Sequence, residues 1–213
     1  MTEEKNRLSA VILCGGSSRR MGTDKAGLVI GGRTLLQRLA AQLAPLGEPR
    51  LSVQSAGDHG EVPLPKIPDR YPGCGPMGGL EAALFSCPDD VLFVTPVDLP
   101  FVDALLAREL AARMDPETDA LLVTDGGGRK QYLLGLYRKR VQPLLERRLR
   151  DGSRDALRIR SFLEEIRVSY VEAGELTDGK AKTRSCNTME EYLALKAAEE
   201  PDGEQADRKQ TGE

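Results

Sequence analysis

Short apolar runs that end in Gly-rich or polar loops are the feature that most constrains the fold of this chain. Leu8–Leu13 is a short, β-branched run, typical of a buried strand, and it leads directly into Cys14-Gly-Gly. Asp90–Thr95 is the clearest strand pattern, and Pro96-Val-Asp-Leu-Pro follows it. Between these strands, 34–46 carries leucines at helical spacing.

The remaining pattern continues this alternation. It predicts strands at 50–54, 62–67, 120–124, 132–137 and near 166–171, and helices at 80–85, 102–114, 141–150, near 154–164 and from about Thr188 to 199. Thr34 is a candidate cap for the helix at 34–46. Such alternation predicts an α/β fold: three layers, with a mostly parallel twisted sheet and helices on both faces.

Three loops with unusual residues, 14–25, 68–79 and 96–101, each follow a predicted strand. In open α/β sheets, ligands bind outside the carboxyl ends of the strands. We therefore expect the three loops to form one site.

The first of these loops combines glycines with Arg19, Arg20 and Lys25. Gly-rich turns expose backbone N–H groups that can hold phosphate oxygens. The loop has neither the Gly-Lys-Ser/Thr ending of a Walker A loop nor a Gly-x-Gly-x-x-Gly pattern. It predicts a phosphate site of another kind, with an ordinary turn as the alternative.

Carboxylates mark the other two loops. Asp98, just past a buried strand, is a hard oxygen ligand suited to Mg²⁺ that also binds substrate phosphates. Its alternative role is to cap the next helix, for which Asp103 is better placed. Asp69, beside Gly73-Cys-Gly-Pro-Met-Gly-Gly, could read a base edge or a ribose, with a plain connection as the alternative.

Composition excludes several classes. The 213 residues suit one large domain or an unequal pair of domains, and a net charge of −3 gives no reason to expect binding of duplex nucleic acid. No apolar run is long enough for a membrane span, and the polar start predicts a cytoplasmic protein. One histidine and four scattered cysteines disfavour a Ser-His-Asp hydrolase or a zinc site. We expect one domain at 1–199 and a disordered acidic tail at 200–213.

Four segments carry a resemblance to a known family. Leu13-Cys-Gly-Gly-Ser-Ser-Arg-Arg-Met-Gly-Thr-Asp-Lys25 resembles the L-x-G-G-x-x-x-R-M-G-x-D-K signature of molybdenum cofactor guanylyltransferases of the MobA type. Gly75-Pro-Met-Gly-Gly79, Val97-Asp-Leu-Pro100 and Asn187-Thr188 are similar to the family's G-P-L-x-G, C-D-x-P and N-T-P-E-E-L segments, in the same order. The chain departs from the family at Cys14, where a small Ala or Thr is common, and at Met189, which replaces the Pro of the last segment.

The resemblance implies a Rossmann-like nucleotidyltransferase fold and a Mg²⁺-dependent transfer of GMP. The substrates would be GTP and the phosphate of molybdenum-bound molybdopterin, and the products the guanine dinucleotide cofactor and pyrophosphate. It also implies transient contact with molybdoenzymes or cofactor-insertion proteins.

Site roles follow from the same resemblance. The implied catalytic residues are Lys25, Asp98 and Asn187, with Asp98 as the metal ligand. The implied nucleotide-binding residues are Leu13, Cys14, Gly15, Gly16, Lys25, Asp69, Gly75, Pro76 and Asp98.

Two other functions stay open at this point. A cytidylyltransferase or other nucleotidyltransferase of the same fold would use the same loops, although Gly15-Gly16 and the segment at Gly75 favour guanine. A non-catalytic nucleotide-binding module would keep the Gly-rich loops without needing Asp98.

Overall fold

The computed structural model describes residues 8–14, 25–55, 59 and 62–199, and its centre is a seven-stranded sheet. The strands are β1 (Ser9–Leu13), β2 (Val29–Ile30), β3 (Arg33–Thr34), β4 (Arg50–Val53), β5 (Lys66–Pro68), β6 (Val91–Pro96), β7 (Ala120–Thr124), β8 (Lys130–Arg138) and β9 (Val168–Glu172). The helices are α1 (Leu35–Leu43), α2 (Pro76–Ser86), α3 (Ala104–Arg113), α4 (Gln142–Asp151), α5 (Ile159–Leu163), α6 (Gly179–Lys182) and α7 (Met189–Glu199).

The sheet order is β5-β4-β1-β6-β8-β7-β9, and β2 pairs with β3 in a separate hairpin. β1 pairs in parallel with β4 and with β6, β4 with β5, and β7 with β9. Only β8 of the seven strands runs antiparallel to its neighbours. The predicted mostly parallel sheet is therefore confirmed, with one reversed strand in its second half.

Helices cover both faces because the side chains of β1 alternate between two cores. Ala10 and Ile12 lie in one core with buried leucines of α1 and α3. Val11 and Leu13 lie in the other core with buried residues of α2, α4 and α5. This arrangement confirms the three-layer architecture.

Side-chain caps begin α1 and α3. The Thr34 side chain accepts from the amide of Gln37, whose side chain accepts from the Thr34 amide, so the predicted cap is part of a capping box. The Asp103 carboxylate accepts from the amide of Leu106 at 2.9 Å and caps α3. Asp103 thus takes the capping role that was the alternative for Asp98.

The prediction that the loop at 68–79 runs to residue 79 is wrong, because α2 already begins at Pro76. Proline is favoured at a first helical position, where the missing N–H would have no partner in the helix. Met77 and Leu80 are fully buried on this first stretch, so packing stabilises the helix despite Gly78 and Gly79.

Three smaller differences also have local causes. The strand predicted at 62–67 is β5, Lys66–Pro68, because prolines at 63 and 65 cannot donate to a ladder. The helix predicted near 154–164 shortens to α5. The β2–β3 hairpin was not predicted; its two-residue turn places Gly31 and Gly32 at φ values of 57° and 72°, which glycine adopts readily.

Within the described ranges, no helix is both long and apolar enough to cross a membrane. The acidic tail expected at 200–213 lies outside the described residues, so the domain division at 199 stays a prediction.

Gly135 provides a test of the packing between β7 and β8. Its φ is +148°, and a Cβ there would stand 2.2 Å from the Leu121 carbonyl oxygen, where the strand register shifts. We expect Gly135→Ala to lower the free energy of unfolding by at least about 2 kcal/mol, measured by urea denaturation. Gly27→Ala, which meets no atom within 4 Å, is the matched control and should change it by less than about 0.5 kcal/mol. Equal midpoints for the two variants would contradict this packing.

Candidate active site

The carboxyl edge of the sheet is where the three loops begin. Three backbone hydrogen bonds continue the parallel ladder past the strands: Cys14 N to Ser52 O (3.0 Å), Val97 N to Leu13 O (3.1 Å) and Asp69 N to Val53 O (2.9 Å). Because β1, β4, β5 and β6 are parallel, these bonds hold the starts of all three loops at one edge. The expectation that the loops share an edge is met.

An ammonium group lies among oxygen atoms at this edge. Lys25 Nζ donates to Asn187 Oδ1 at 2.8 Å and forms an ion pair with Asp98 Oδ2 at 3.5 Å. The Lys25 and Asp98 side chains are only 18% and 24% exposed. Burial raises the pKa of Asp98, while the Lys25 ammonium opposes that shift. The structure therefore brings together the three residues expected to be catalytic.

Backbone contacts that were not predicted from the sequence hold Asn187 near Asp98. The amide of Cys186 donates to the carbonyl oxygen of Asp98 at 2.8 Å. The Glu191 carboxylate accepts from the Asn187 amide at 2.6 Å, and the Glu191 amide donates to Thr188 Oγ1 at 3.1 Å. The spacing Thr188-x-x-Glu191 is a capping-box signal, so the sequence did contain the information that locates Glu191.

Asp69 is a half-buried carboxylate at the other end of the edge. No group in the described ranges donates a hydrogen bond to its side chain, and only its amide is engaged. Burial, and to a lesser degree the charge of Glu81, raises the pKa of Asp69 to about 6 from an ordinary 3.8. Perturbed, unpaired carboxylates of this kind are common at functional sites.

Asp69 lies against the first turn of α2, beside two glycines. A Cβ on Gly78 would stand 3.5 Å from Asp69 Oδ2, and one on Gly79 would stand 3.6 Å from Oδ1. The Gly79 position is also blocked by Ser52 Oγ, at 2.6 Å. The glycines expected to border a base are therefore helical, and a Cβ at either position would make only an ordinary van der Waals contact with the Asp69 carboxylate.

The remaining predicted residues divide into three groups. Leu13 has a buried side chain that faces α2, so only its backbone lies at the edge. Cys14 is partly buried at the start of its loop, and Gly75, at φ +60°, precedes Pro76 at the start of α2. The predicted residues Gly15 and Gly16 lie outside the described residues, as do the basic residues at 19 and 20.

The two ends of this edge lie three strand spacings apart. Adjacent strands lie roughly 4.8 Å apart, and β5 is three strands from β6. Asp69 and Asp98 follow these two strands and are therefore separated by roughly 14 Å across the edge. An extended nucleotide could lie along such an edge, with its base toward one carboxylate and its phosphates toward the other.

The side-chain oxygen atoms around Lys25 are suitable ligands for a hard cation. Asp98 and Asn187 both present oxygen atoms to the Lys25 ammonium, and oxygen is what Mg²⁺ prefers. Among the described residues, no group of three His, Cys, Asp or Glu side chains could hold a metal by itself. Such a site suits an ion that arrives with phosphate oxygens and water as its other ligands.

An α/β sheet with loops of this kind at its carboxyl edge is the arrangement of a nucleotide-binding protein. Residues 10–169 match the family model of the MobA-like NTP transferase domain. A molybdenum cofactor guanylyltransferase from Vibrio cholerae is 33% identical over 201 residues, which cover 92% of this chain and 95% of that protein. The chain therefore belongs to the family of MobA-like NTP transferase domains.

Solved structures show the same fold. Molybdopterin-guanine dinucleotide biosynthesis protein A from Archaeoglobus fulgidus superposes with a TM-score of 0.77 at 22% identity, over 89% of this chain and 97% of that one. A 2-C-methyl-D-erythritol 4-phosphate cytidylyltransferase from Thermus thermophilus superposes with a TM-score of 0.60 at 19% identity, over 89% and 97%. Because a cytidylyltransferase shares the fold, the fold alone does not determine which base is bound.

The raised pKa of Asp69 predicts how its replacement affects stability. The folded state holds this proton more tightly than the unfolded state, so ionised Asp69 destabilises the fold above about pH 6 and this cost disappears toward pH 4. Asp69→Asn should therefore raise the thermal midpoint at pH 8 and leave it nearly unchanged at pH 4. Thermal unfolding of both proteins at the two pH values measures this, and an equal difference at both would contradict it.

Proposed function

We propose that this protein transfers the guanylyl group of GTP to the phosphate of molybdenum-bound molybdopterin, giving molybdopterin guanine dinucleotide and pyrophosphate. The observation that carries the proposal is the Lys25 ammonium between Asp98 and Asn187, at the edge where the Gly-rich loop begins. Family membership and the guanylyltransferase named among its relatives support the same reaction.

The nucleotide would lie along the carboxyl edge. Asp69, whose carboxylate has no donor in the described ranges, would accept hydrogen bonds from the base edge or the ribose. The backbone at Leu13 and Cys14 would contact the nucleoside, with Gly75 and Pro76 bordering the base. The backbone of Gly15 and Gly16 would approach the phosphates, as Gly-rich turns can.

Lys25 would act on the charge of the reacting phosphates. A phosphate oxygen of the acceptor attacks the α-phosphorus of GTP, one P–O bond forms, and the bond to the β-phosphate bridging oxygen breaks. The Lys25 ammonium, released from Asn187 and Asp98, would neutralise charge on the two phosphates that repel each other. No side chain has to remove a proton, since a phosphate monoester has a second pKa near 6 and is largely a dianion at neutral pH.

Asp98, with Asn187 beside it, would hold Mg²⁺ at this position. When bound, the ion would supply positive charge for the triphosphate and the leaving pyrophosphate. The structure gives these two residues a shared frame through the bond from Cys186 to the Asp98 carbonyl. We also infer a cytoplasmic location and transient contact with molybdoenzymes or cofactor-insertion proteins, in keeping with a biosynthetic role.

Product analysis tests the proposal. Incubation with Mg-GTP and molybdenum-bound molybdopterin should give equimolar pyrophosphate and guanine dinucleotide. CTP under the same conditions is the competing substrate, and equal or faster turnover of CTP would overturn the guanine assignment.

Asp98→Ala should lower kcat by at least about 100-fold, because the variant loses the carboxylate that would hold Mg²⁺ beside the reacting phosphates. Asp90→Ala is the matched control: Asp90 is exposed and directly precedes the same strand at its opposite end. Its kcat should stay within twofold of the unsubstituted enzyme. Normal turnover by folded Asp98→Ala would show that the metal role proposed for Asp98 is wrong.

A further inference from the structure

The segment from Ala173 to Asn187, here called the return segment, connects the end of the sheet with the candidate active site. It leaves β9, the last strand in the order, and ends beside Asp98, which follows β6 three strands away. A connection of this length needs fixed points if it is to hold Asn187 in place. The structure provides three of them.

The first fixed point is a tight corner next to α3. A Cβ on Gly179 would stand 2.2 Å from the Ala173 carbonyl oxygen, and Asp178 before it has a φ of +55°. The amide and hydroxyl of Thr177 donate to the Glu109 carboxylate at 3.0 and 2.5 Å. The corner is therefore closely packed and attached to α3.

The second fixed point is an ion pair with little exposure. Lys182 Nζ lies 2.9 Å from Asp103 Oδ2, and the Lys182 side chain is only 9% exposed. The other oxygen of Asp103 accepts from the Leu106 amide at the start of α3. Removing the Asp103 carboxylate would leave the Lys182 ammonium charged and poorly solvated, so the position of Lys182 depends on Asp103.

The third fixed point is the hydrogen bond from the Cys186 amide to the Asp98 carbonyl. The return segment thus holds both ends of the loop at 97–103: Asp98 at its start and Asp103 at its end. A shift at Lys182 would be passed to Cys186 and Asn187, four and five residues further along the chain. It would change the distances between Lys25 and its two oxygen partners.

We propose that Lys182 is a positioning residue for guanylyl transfer: through Asp103 it sets the relative placement of Asp98 and Asn187 without touching substrate. This inference rests on the proposed function. Asp69 follows β5, whereas Asp103 lies in the connection after β6, three strands away in the sheet order. The part of the GTP affinity that comes from the base end should therefore not depend on the Lys182–Asp103 pair.

The test is a double-mutant cycle on the turnover rate. The variants are Lys182→Met, Asp103→Ser and the double substitution; serine keeps a helix cap while it removes the charge. Arg160→Met is the matched control, since Arg160 forms an exposed ion pair with Glu164 at 3.6 Å on α5. For each folded protein, kcat, KM for GTP and the thermal midpoint are measured with Mg-GTP and molybdenum-bound molybdopterin.

We expect each single substitution to lower kcat more than about fivefold, because a 1 Å misplacement of reacting groups can cost about 100-fold. KM for GTP should change less than twofold, and the double variant should lose no more kcat than the worse single variant. Arg160→Met should keep kcat within twofold. If Lys182→Met does not fold, Asp103→Ser alone carries the test by the same criterion.

A kcat loss below fivefold in the folded single variants, or losses that multiply in the double variant, would overturn the positioning role even if the thermal midpoints fall. Those outcomes leave the proposed function intact, because the unsubstituted protein and Arg160→Met still form the dinucleotide. Absence of dinucleotide from these two proteins would instead overturn the proposed function and the inference that depends on it.

Discussion

The parallel pairing of β1 with β4 on one side and β6 on the other is the constraint on which the site depends. Parallel strands end at one edge, so segments far apart in the chain leave the sheet side by side. The ladder bonds of Cys14, Asp69 and Val97 carry this order one residue past the strands. A one-residue slip of β1 would turn its side chains to the opposite cores and move the start of the first loop.

Charge is distributed unevenly along this edge. At the β6 end, the Lys25 ammonium contacts both Asp98 and Asn187, so a positive charge and two side-chain oxygen atoms are already close together in the free protein. At the β5 end, Asp69 is half-buried without a donor in the described ranges, and its pKa is raised to about 6. A carboxylate held in this way gains from a ligand that supplies hydrogen bonds, so stability given up in the free protein can be recovered on binding.

Sequence patterns predicted most of what local chemistry determines. The buried run before Cys14 and the run before Pro96 became β1 and β6, and Thr34 capped α1 as its side chain predicted. The start of α2 was placed too late, because neighbouring glycines at 78 and 79 are typical of a loop in a sequence. Only the structure shows which atoms are packed against them. A glycine that is needed because other atoms pack closely against the backbone cannot be told, from the sequence, from a glycine that is needed for a turn.

The same holds for the candidate site: its residues could be predicted from the sequence, but the contacts that position them could not. Asp69 and Asp98 were singled out as carboxylates in loops that follow strands, and Asn187 by its resemblance to a family segment. Strand order then explained why Asp69 and Asp98 lie along one edge. The contacts that hold them, from Lys182 to Asp103 and from Cys186 to Asp98, join positions far apart in the chain and leave no periodic pattern. The net charge of −3 is also unevenly distributed along the chain. Residues 199–213 contain six acidic and two basic residues, whereas the other residues together are nearly neutral.

We propose that the Asp69 carboxylate, at the β5 end of the edge, receives the guanine nucleotide. The most direct measurement is the titration of the Asp69 carboxyl by ¹³C NMR, alone and with saturating GTP or CTP. We expect a pKa of about 6 for Asp69 in the free protein and a clear decrease with GTP, because hydrogen-bond donors on the nucleotide favour the ionised form. We expect a smaller decrease with CTP. A pKa near 3.8 for Asp69 in the free protein, or a pKa that GTP does not change, would show that this carboxylate does not receive the nucleotide.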